Sequence, residues 1–182
     1  MKKHLPLLLA CLFFTGSLFA QQHLSFKGIP VDGTLKACTD ALVKDGFHYE
    51  STKDGTALLT GDFAGYKGCV IGVSTLKNLD VVNHIDVLFP GRDTWSAMLN
   101  DYETLKAMLT EKYGTPSDSK ENSAGYIGDS GSEMQASGND GFVYYTTFAT
   151  ELGDIELSII AGIKYNTGCV RISYSDKTNS EK

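Results

Sequence analysis

The sequence predicts an α+β fold in which two helices pack on one face of antiparallel β-sheet. The first observation is a stretch in which large apolar residues recur every three or four positions, which places them on one stripe of an α-helix. These residues are Trp95, Met98, Leu99, Tyr102, Leu105, Leu109 and Tyr113. The second observation is a series of short apolar runs, several of them alternating with polar residues and separated by turn-forming sequences, which is typical of hairpins. A helix with such a stripe must cover another surface, and we expect it to cover this sheet.

Both predicted helices have signals that mark their ends. Asp93 or Thr94 can cap the first turn of the long helix, where backbone amides lack partners. Gly114 can close its last turn, and Pro116 prevents continuation. A shorter, earlier helix is expected to end at Gly46.

Seven further segments are predicted strands, and their connections are mostly short and rich in Gly, Asn and Asp. Such connections favour hairpins and therefore an antiparallel meander. The predicted strands are residues 47–50, 57–64, 69–75, 81–89, 142–150, 154–163 and 169–175, and residues 23–29 form a short extended segment before the first helix.

Two short sequence echoes predict that the chain consists of two related helix-then-strands halves. Thr-Leu-Lys-Ala at residues 34–37 recurs at 104–107, and Gly-Cys-Val at 68–70 recurs at 168–170. A stretch rich in Ser, Gly, Asn and acidic residues is expected to form a mobile loop. The predicted divisions are a first half at residues 21–90, a second half at 91–176 with the mobile loop at 115–141, and a polar tail at 177–182.

Residues 1–20 are predicted to be a secretory signal peptide. Two lysines precede an apolar run at residues 5–14, and Ala20 provides the small residue before a cleavage site. The run is short and polar chain follows it at once, which disfavours a membrane-spanning helix. Cys11 lies in a sequence that resembles a lipoprotein box, so lipidation there is an alternative. We expect a periplasmic or secreted protein without stable membrane insertion after cleavage.

The charge of the mature chain argues against two classes of partner. Residues 1–20 contain two lysines and no acidic residue, so their removal leaves 14 basic and 22 acidic residues and a formal charge of −8. Nucleic acids require a basic surface because their phosphates are negative, and anionic membranes attract basic segments. We therefore expect neither as a partner.

Three cysteines remain in the mature chain, namely Cys38, Cys69 and Cys169. An exported chain meets an oxidising compartment, where two of them can pair. Cys38 lies on the inner stripe of the first helix and Cys69 on the apolar side of a strand, which favours a Cys38–Cys69 disulfide. Pairing of Cys69 with Cys169, or three buried thiols, are the alternatives. No Cys-x-x-Cys spacing indicates a redox motif or a zinc site.

Two pairs of polar residues share the outer sides of predicted strands. His84 and Asp86 alternate with apolar neighbours, and a His–carboxylate pair can serve as a general base. Asp154 and Glu156 alternate in the same way and could bind a cation. No nucleophile or metal-ligand set accompanies either pair at a readable spacing, so a solvated strand face is the preferred interpretation.

The predicted loop contains two further matches. Residues 128–131 read Gly-Asp-Ser-Gly, as around the nucleophile of trypsin-like proteases, but the chain is too short for that double barrel. Asp129, Gly131 and Glu133, with Asp140 downstream, suggest an oxygen-rich calcium loop but lack the twelve-residue spacing of a strong match. We therefore predict no catalytic residue, no metal site and no cofactor.

Tyrosines at strand tips are candidate recognition residues, because a rigid amphipathic ring gives contact area at low entropic cost. Tyr66 and Tyr165 are predicted binding residues on this basis. Tyr144 and Tyr174 are interpreted as ordinary strand residues, since aromatic side chains favour pleated surfaces.

Several structural motifs span most of the mature chain. They are Phe-Lys-Gly-Ile-Pro-Val-Asp-Gly at 26–33, Gly-Asp-Phe-Ala-Gly at 61–65, Trp95 with Tyr102 and Leu105, Lys-Tyr-Gly-Thr-Pro at 112–116, and Ile-Ser-Tyr-Ser-Asp at 172–176. Together they resemble a family of small exported proteins common in Bacteroidetes, and this resemblance implies no activity or binding residues. The helix-then-sheet duplication is also similar in outline to the β-lactamase inhibitory proteins, which is a likeness of architecture alone.

These observations predict a non-enzymatic exported module that binds a protein or a cell-envelope component. The alternatives are a small periplasmic hydrolase with dispersed site residues and a carbohydrate- or cation-binding protein. An exposed sheet face lined by tyrosines would favour binding. A pocket that holds His84 and Asp86 beside a nucleophile would favour an enzyme.

Overall fold

The structure is a computed structural model of the chain, and it describes residues 23–122, 143–161 and 168–180. The predicted signal peptide lies outside these residues. The helices are α1 (Leu35–Lys44), α2 (Trp95–Tyr113) and α3 (Lys177–Ser180). The strands are β1 (Ser25–Phe26), β2 (Ile29–Pro30), β3 (His48–Lys53), β4 (Thr56–Phe63), β5 (Tyr66–Thr75), β6 (Val82–Leu88), β7 (Asp118–Asn122), β8 (Val143–Ala149), β9 (Gly153–Ala161) and β10 (Gly168–Asp176).

Eight of the strands form one antiparallel sheet in the order β3-β4-β5-β6-β10-β9-β8-β7. Strands β3 to β6 are sequential hairpin neighbours, and so are β7 to β10. The two sets meet where β6 pairs with β10, with Asp86 opposite Ser173 and Val87 opposite Ile172. Strands β1 and β2 form a separate hairpin. The predicted α+β class with an antiparallel sheet is confirmed.

One face of the sheet carries the core because side chains alternate across each strand. Ile85 and Val87 on β6, and Ile172 and Tyr174 on β10, are buried on this face. Helix α1 packs on it through Cys38 and Leu42, and α2 packs on it through residues of its apolar stripe. The buried residues of that stripe are Met98, Tyr102, Leu105 and Leu109. Both helices therefore lie on the same side of the sheet.

The helix caps follow the sequence signals. The side chain of Thr34 accepts a hydrogen bond from the backbone N–H of Ala37 at 3.2 Å, and Thr94 accepts one from Ala97 at 3.3 Å. These contacts satisfy amides that have no partner within the helix. Gly114 ends α2 with a positive φ of 85°, as its position in the sequence predicts.

The structure differs from the predicted loop at its start, because strand β7 lies within residues 115–141. The polar composition of β7 gives no strand signal in the sequence. In the structure, however, three neighbouring side chains hold Glu121 in place. Its Oε1 accepts hydrogen bonds from Tyr102 at 3.1 Å, from Thr146 at 2.7 Å and from Lys106. These contacts attach β7 to α2 and β8, which a local reading of the sequence misses.

The predicted polar tail contains α3, and Asn179 in that helix is fully buried. Its side-chain amide donates to the backbone oxygens of Val31 at 3.2 Å and Val82 at 3.0 Å. The carboxylate of Asp176, also fully buried, accepts from the backbone N–H groups of Leu24 at 2.7 Å and Asn179 at 2.9 Å. Residues 177–180 are held in place because Asn179 completes hydrogen bonds of distant segments.

The two sequence echoes occupy different structural positions. Thr34 caps the start of α1, whereas Thr104 lies in the middle of α2. Residues 68–70 lie in the third strand after α1, and residues 168–170 lie in β10, the fourth described strand after α2. The echoes therefore do not align one half of the chain with the other.

Two glycines of the sheet allow a matched test of this architecture. A Cβ added at Gly153, whose φ is 150°, would lie 2.1 Å from the backbone oxygen of Ser175, whereas a Cβ at Gly72 would meet no atom closer than 3.8 Å. We expect Gly153→Ala to lower the free energy of unfolding by about 3 kcal/mol and Gly72→Ala to change it by no more than about 0.5 kcal/mol. Urea unfolding measures both values. Equal effects would contradict the packing of β9 against β10.

Candidate functional site

The sheet face opposite the helices carries the main group of interacting polar side chains. We call this side the open face, because no helix of the described ranges packs on it. Strands β6, β9 and β10 together place six polar residues there, and we call them the sheet-face cluster. The cluster consists of His84, Asp86, Glu156, Arg171, Ser173 and Ser175.

The strand register brings the cluster together. Ser173 on β10 lies between Asp86 on β6 and Glu156 on β9, and Ser175 lies opposite His84. Directly opposed side chains on neighbouring antiparallel strands are about 5 Å apart, within reach of one another. The predicted shared face of His84 and Asp86 is confirmed, and the pair lies at the centre of the sheet.

His84 is bonded through both ring nitrogens. Its Nδ1 lies 2.9 Å from Ser175 Oγ, while its Nε2 lies 3.1 Å from Asp86 Oδ1 and 2.8 Å from Ser173 Oγ. The hydroxyl of Ser173 donates to the same Asp86 oxygen at 2.8 Å. One ring nitrogen of His84 therefore faces Ser175, and the other faces both Asp86 and Ser173.

Ser175, His84 and Asp86 are arranged in space in the order of a nucleophile, a general base and an orienting carboxylate. His84 could accept a proton from Ser175 while Asp86 orients the ring from the other nitrogen. Acyl transfer also needs hydrogen-bond donors for the developing oxyanion. In β6 and β10 the backbone amides are committed to the strand ladders on either side, so neither strand offers such donors at Ser175.

Arg171 connects the cluster to β9. Its Nη2 donates to Glu156 Oε1 at 2.9 Å, and its Nε lies 3.9 Å from Asp86 Oδ1, which is beyond hydrogen-bond distance. The Nε atom is buried without a hydrogen-bond partner, and the same holds for the hydroxyl of Ser158. Ser158 is the residue directly opposite Arg171 on β9.

The environment of Asp86 favours its ionised form. Burial by itself raises the pKa of this carboxyl, but the hydrogen bond and charge of His84, the Ser173 hydroxyl and the charge of Arg171 together lower the pKa below its ordinary value of 3.8. Asp86 therefore acts as a fixed negative charge within the cluster at neutral pH.

Tyr66, a predicted binding residue, is part of the packing between β5 and α2. Its ring contacts Phe89 edge-on with centroids 5.0 Å apart, and its hydroxyl donates to Asp101 Oδ1 at 3.2 Å. Asp101 is 5% exposed and also accepts two hydrogen bonds from the guanidinium of Arg92. These contacts occupy the polar end of Tyr66 and give it a structural role. The other predicted binding residue, Tyr165, lies outside the described residues.

The predicted Cys38–Cys69 disulfide is absent from the structure, in which both cysteines are buried free thiols. Each thiol has an environment that suits the protonated form: burial raises the pKa of Cys38 to about 11, and the Sγ of Cys69 donates to the backbone oxygen of Tyr66 at 3.8 Å. Cys169, the alternative partner, is also free.

The remaining sequence candidates divide into two groups. Asp154 and Glu156 share the open face as predicted, with Ile155 and Leu157 buried on the other side. The Gly-Asp-Ser-Gly match and the calcium-like loop lie outside the described residues. Among residues that the structure does describe, no group of three or more His, Cys, Asp or Glu side chains is placed to hold a metal ion.

Arg171, Ser173 and Ser175 are site residues that the sequence reasoning did not identify. Their alternation with Val170, Ile172 and Tyr174 places them on the outer side of β10, and this signal is readable in the sequence. The sequence does not show that β10 is the neighbour of β6. That pairing turns separate polar residues into one cluster.

Comparison of the chain with protein-family models found no match, and searches of curated proteins and of solved structures found none either. Over the described ranges, no helix combines the length and apolar composition needed to cross a membrane.

The thiol state can be tested by alkylation of the mature protein without reductant. We expect iodoacetamide to react slowly with Cys38 in the folded protein, since burial and a pKa of about 11 leave little thiolate. In denaturant all three cysteines should react, as shown by intact mass. Reaction of only one cysteine until a reductant is added would instead support the disulfide predicted from the sequence.

The role of Asp86 predicts a pH dependence of stability. A carboxyl whose pKa is lowered by folding stabilises the fold above its unfolded pKa, and this contribution is lost as the pH falls through the folded-state pKa. Asp86→Asn should therefore lower the free energy of unfolding by about 1 kcal/mol at about pH 7 and by much less at about pH 2.5. Urea unfolding at both pH values measures the difference.

Asp154→Asn is the control for this experiment, because no described residue donates a hydrogen bond to that carboxylate on the same face. We expect it to change stability by less than about 0.5 kcal/mol. A pH-independent effect of Asp86→Asn would mean that packing, and not charge, explains the loss.

Proposed function

We propose that this protein is a non-enzymatic exported binding module whose recognition surface is the open face of the sheet. The observation that carries the proposal is the sheet-face cluster, in which charged and polar side chains are already held by one another. Its partner is a protein or a component of the cell envelope. The fold places every described helix and the apolar core on the opposite side, so the open face is available for contact.

Preorganisation is the physical reason for preferring recognition. A partner that binds mobile side chains must immobilise them, at about 0.5–1.5 kcal/mol for each. His84 and Asp86 are instead fixed by hydrogen bonds to Ser173 and Ser175 before any partner arrives. Opposite charges at fixed positions, such as Arg171 beside Glu156, favour a partner with the complementary pattern and disfavour others.

The proposed export rests on the signal sequence in residues 1–20 and on the resemblance to small exported proteins of Bacteroidetes. We also propose that the two parts of the chain are related halves. In the described residues each long helix is followed by four strands, and the sheet order is symmetric about the β6–β10 pair. The sequence echoes do not support this relation, so its basis is the order of the elements.

A second candidate function is a small periplasmic hydrolase, which the Ser175–His84–Asp86 contacts favour. The missing oxyanion donors at Ser175 place it second. Ser175→Ala distinguishes the two, because it would abolish hydrolysis of activated esters by an enzyme with this nucleophile. A binding module would show no hydrolysis above background in either form.

Thr147→Arg tests the proposed surface. Thr147 lies on the open face between Glu156 and Asp118 of the neighbouring strands, so an arginine there has two acidic neighbours and obstructs the surface. The matched control is Thr104→Arg on the exposed side of α2. Each tagged mature protein is purified gently from its own host and examined by native mass spectrometry.

We expect a stoichiometric companion with the wild type and with Thr104→Arg, and its loss from Thr147→Arg. Retention by Thr147→Arg would exclude the open face as the recognition surface. A bare wild-type monomer would argue against the binding module and in favour of enzymatic screens. Thermal unfolding of all three proteins excludes misfolding as the cause of a loss.

A further inference from the structure

Strand β3 forms one edge of the eight-stranded sheet, and all six of its residues are exposed. An edge strand presents outward backbone N–H and C=O groups that another strand can pair with. Tyr49 on this strand is 52% exposed, and Val43 on α1 is 45% exposed. Both line a cleft of about 470 Å³ between α1 and β3. The edge of β3 and this cleft therefore form one exposed surface, with a backbone part and an apolar part.

The six residues of β3 divide between the two sides of the sheet. Tyr49 and Thr52 point to the helix side, because both line the cleft beside α1. The other four point to the open face, and they are His48, Glu50, Ser51 and Lys53. Three of these lie opposite residues of β4 that alternate with buried ones. Glu50 accepts a hydrogen bond from the hydroxyl of Thr60 on the same face at 2.8 Å.

The order of these sides is the same when β3 is read in either direction. From residue 48 to residue 53 it is open, helix, open, open, helix, open. A β-bulge at Glu50 creates this order, because it places the successive residues Glu50 and Ser51 on one face. A regular strand of the same length alternates strictly, so its order of sides differs from the reversed order.

Two copies of β3 can therefore pair antiparallel across a two-fold axis with every side matched. Residue 48 of one copy then lies opposite residue 53 of the other, residue 49 opposite 52, and residue 50 opposite 51. A shift by one residue in either direction would set Thr52 opposite a residue of the open face. The order of sides thus selects one register, and the interface uses the same surface of both copies.

The charges of the two copies are complementary in this register. Glu50 lies diagonally across from Lys53 of the second copy on the open face, within reach of a long side chain, and the symmetry gives this contact twice. Within the described part of one copy, neither Glu50 nor Lys53 forms an ion pair. A lysine on an edge strand ordinarily discourages pairing with another chain. Here a carboxylate of the second copy offsets it.

The same pairing covers the apolar part of the surface. Tyr49 of one copy lies opposite Thr52 of the other on the helix side. Since Thr52 lines the cleft, each tyrosine ring is placed at the cleft of the other copy. Removal of this aromatic surface from water favours association.

We propose that the protein forms a two-fold dimer in which the β3 strands of two copies pair antiparallel through residues 48–53. The dimer joins the two eight-stranded sheets edge to edge, with both α1 helices on one side and both open faces on the other. The inference goes beyond the proposed function, because it assigns a second surface with a second copy of this chain as its partner. Two open faces on one side of the dimer would bind a repetitive partner with increased avidity.

Sedimentation equilibrium of the recombinant mature protein, from micromolar to millimolar concentration, tests the proposal. We expect a monomer–dimer equilibrium for the wild type. Glu50→Lys and Lys53→Glu should each weaken dimerisation by about tenfold, because each turns two attractive contacts into repulsive ones. An equimolar mixture of the two variants should dimerise again, because one variant then supplies the basic side chain and the other the acidic one at both contacts.

The matched control is Glu111→Lys, the same charge reversal at an exposed position of α2, which should dimerise like the wild type. Urea unfolding of each variant shows whether it folds, and recovery in the mixture is itself a test that misfolded variants would fail. A wild type that stays monomeric at every concentration would overturn the proposal. A dimer that neither reversal weakens would place the interface elsewhere and overturn it as well.

Two further outcomes also count against the dimer. Single variants that are weakened but do not recover on mixing would contradict the two-fold register. A monomeric wild type whose companion from the host is lost on Glu50→Lys would show that a strand of another protein occupies the β3 edge. Neither outcome affects the proposed open-face recognition, which Thr147→Arg tests on the other half of the sheet.

Discussion

The pairing of β6 with β10 is the contact on which the rest of the structure depends. Val87 faces Ile172 and Asp86 faces Ser173 in the same register. Because alternate residues point to opposite sides, this register sends the apolar pair to the core and the polar pair to the open face. A shift by one residue would bury Asp86 and expose Val87, so the core and the sheet-face cluster are determined together.

Buried and half-buried polar groups stabilise the edges of this arrangement when they have partners. Asp176 and Asn179 join the two ends of the described chain to β6, and Glu121 attaches β7 to α2. Tyr66 reaches Asp101 in the same way. Among the described residues, the hydroxyl of Ser158 and the Nε of Arg171 are exceptions, because each is buried without a hydrogen-bond partner.

The chemistry of the open face follows from its position on regular strands. A strand holds its side chains at fixed spacing, which favours recognition of an extended pattern of donors and acceptors. The same ladder uses the backbone amides that an acyl-transfer enzyme would need for its oxyanion. His84 therefore contacts the Ser175 hydroxyl, while the backbone amides of β6 and β10 are already used in the strand ladders.

The sequence by itself determined the helices and strands and which of their residues share a face, because periodicity and caps are local properties. Examples are the stripe of α2, the cap at Thr94, and the shared face of His84 and Asp86. Only the tertiary structure decided which elements are neighbours. Ser173 and His84 are 89 positions apart and meet through strand pairing. The same long-range contacts gave Tyr66 a structural role, ordered Asn179, and formed β7 around Glu121. Local sequence patterns cannot show such contacts, since their stabilisation comes from partners that are distant along the chain.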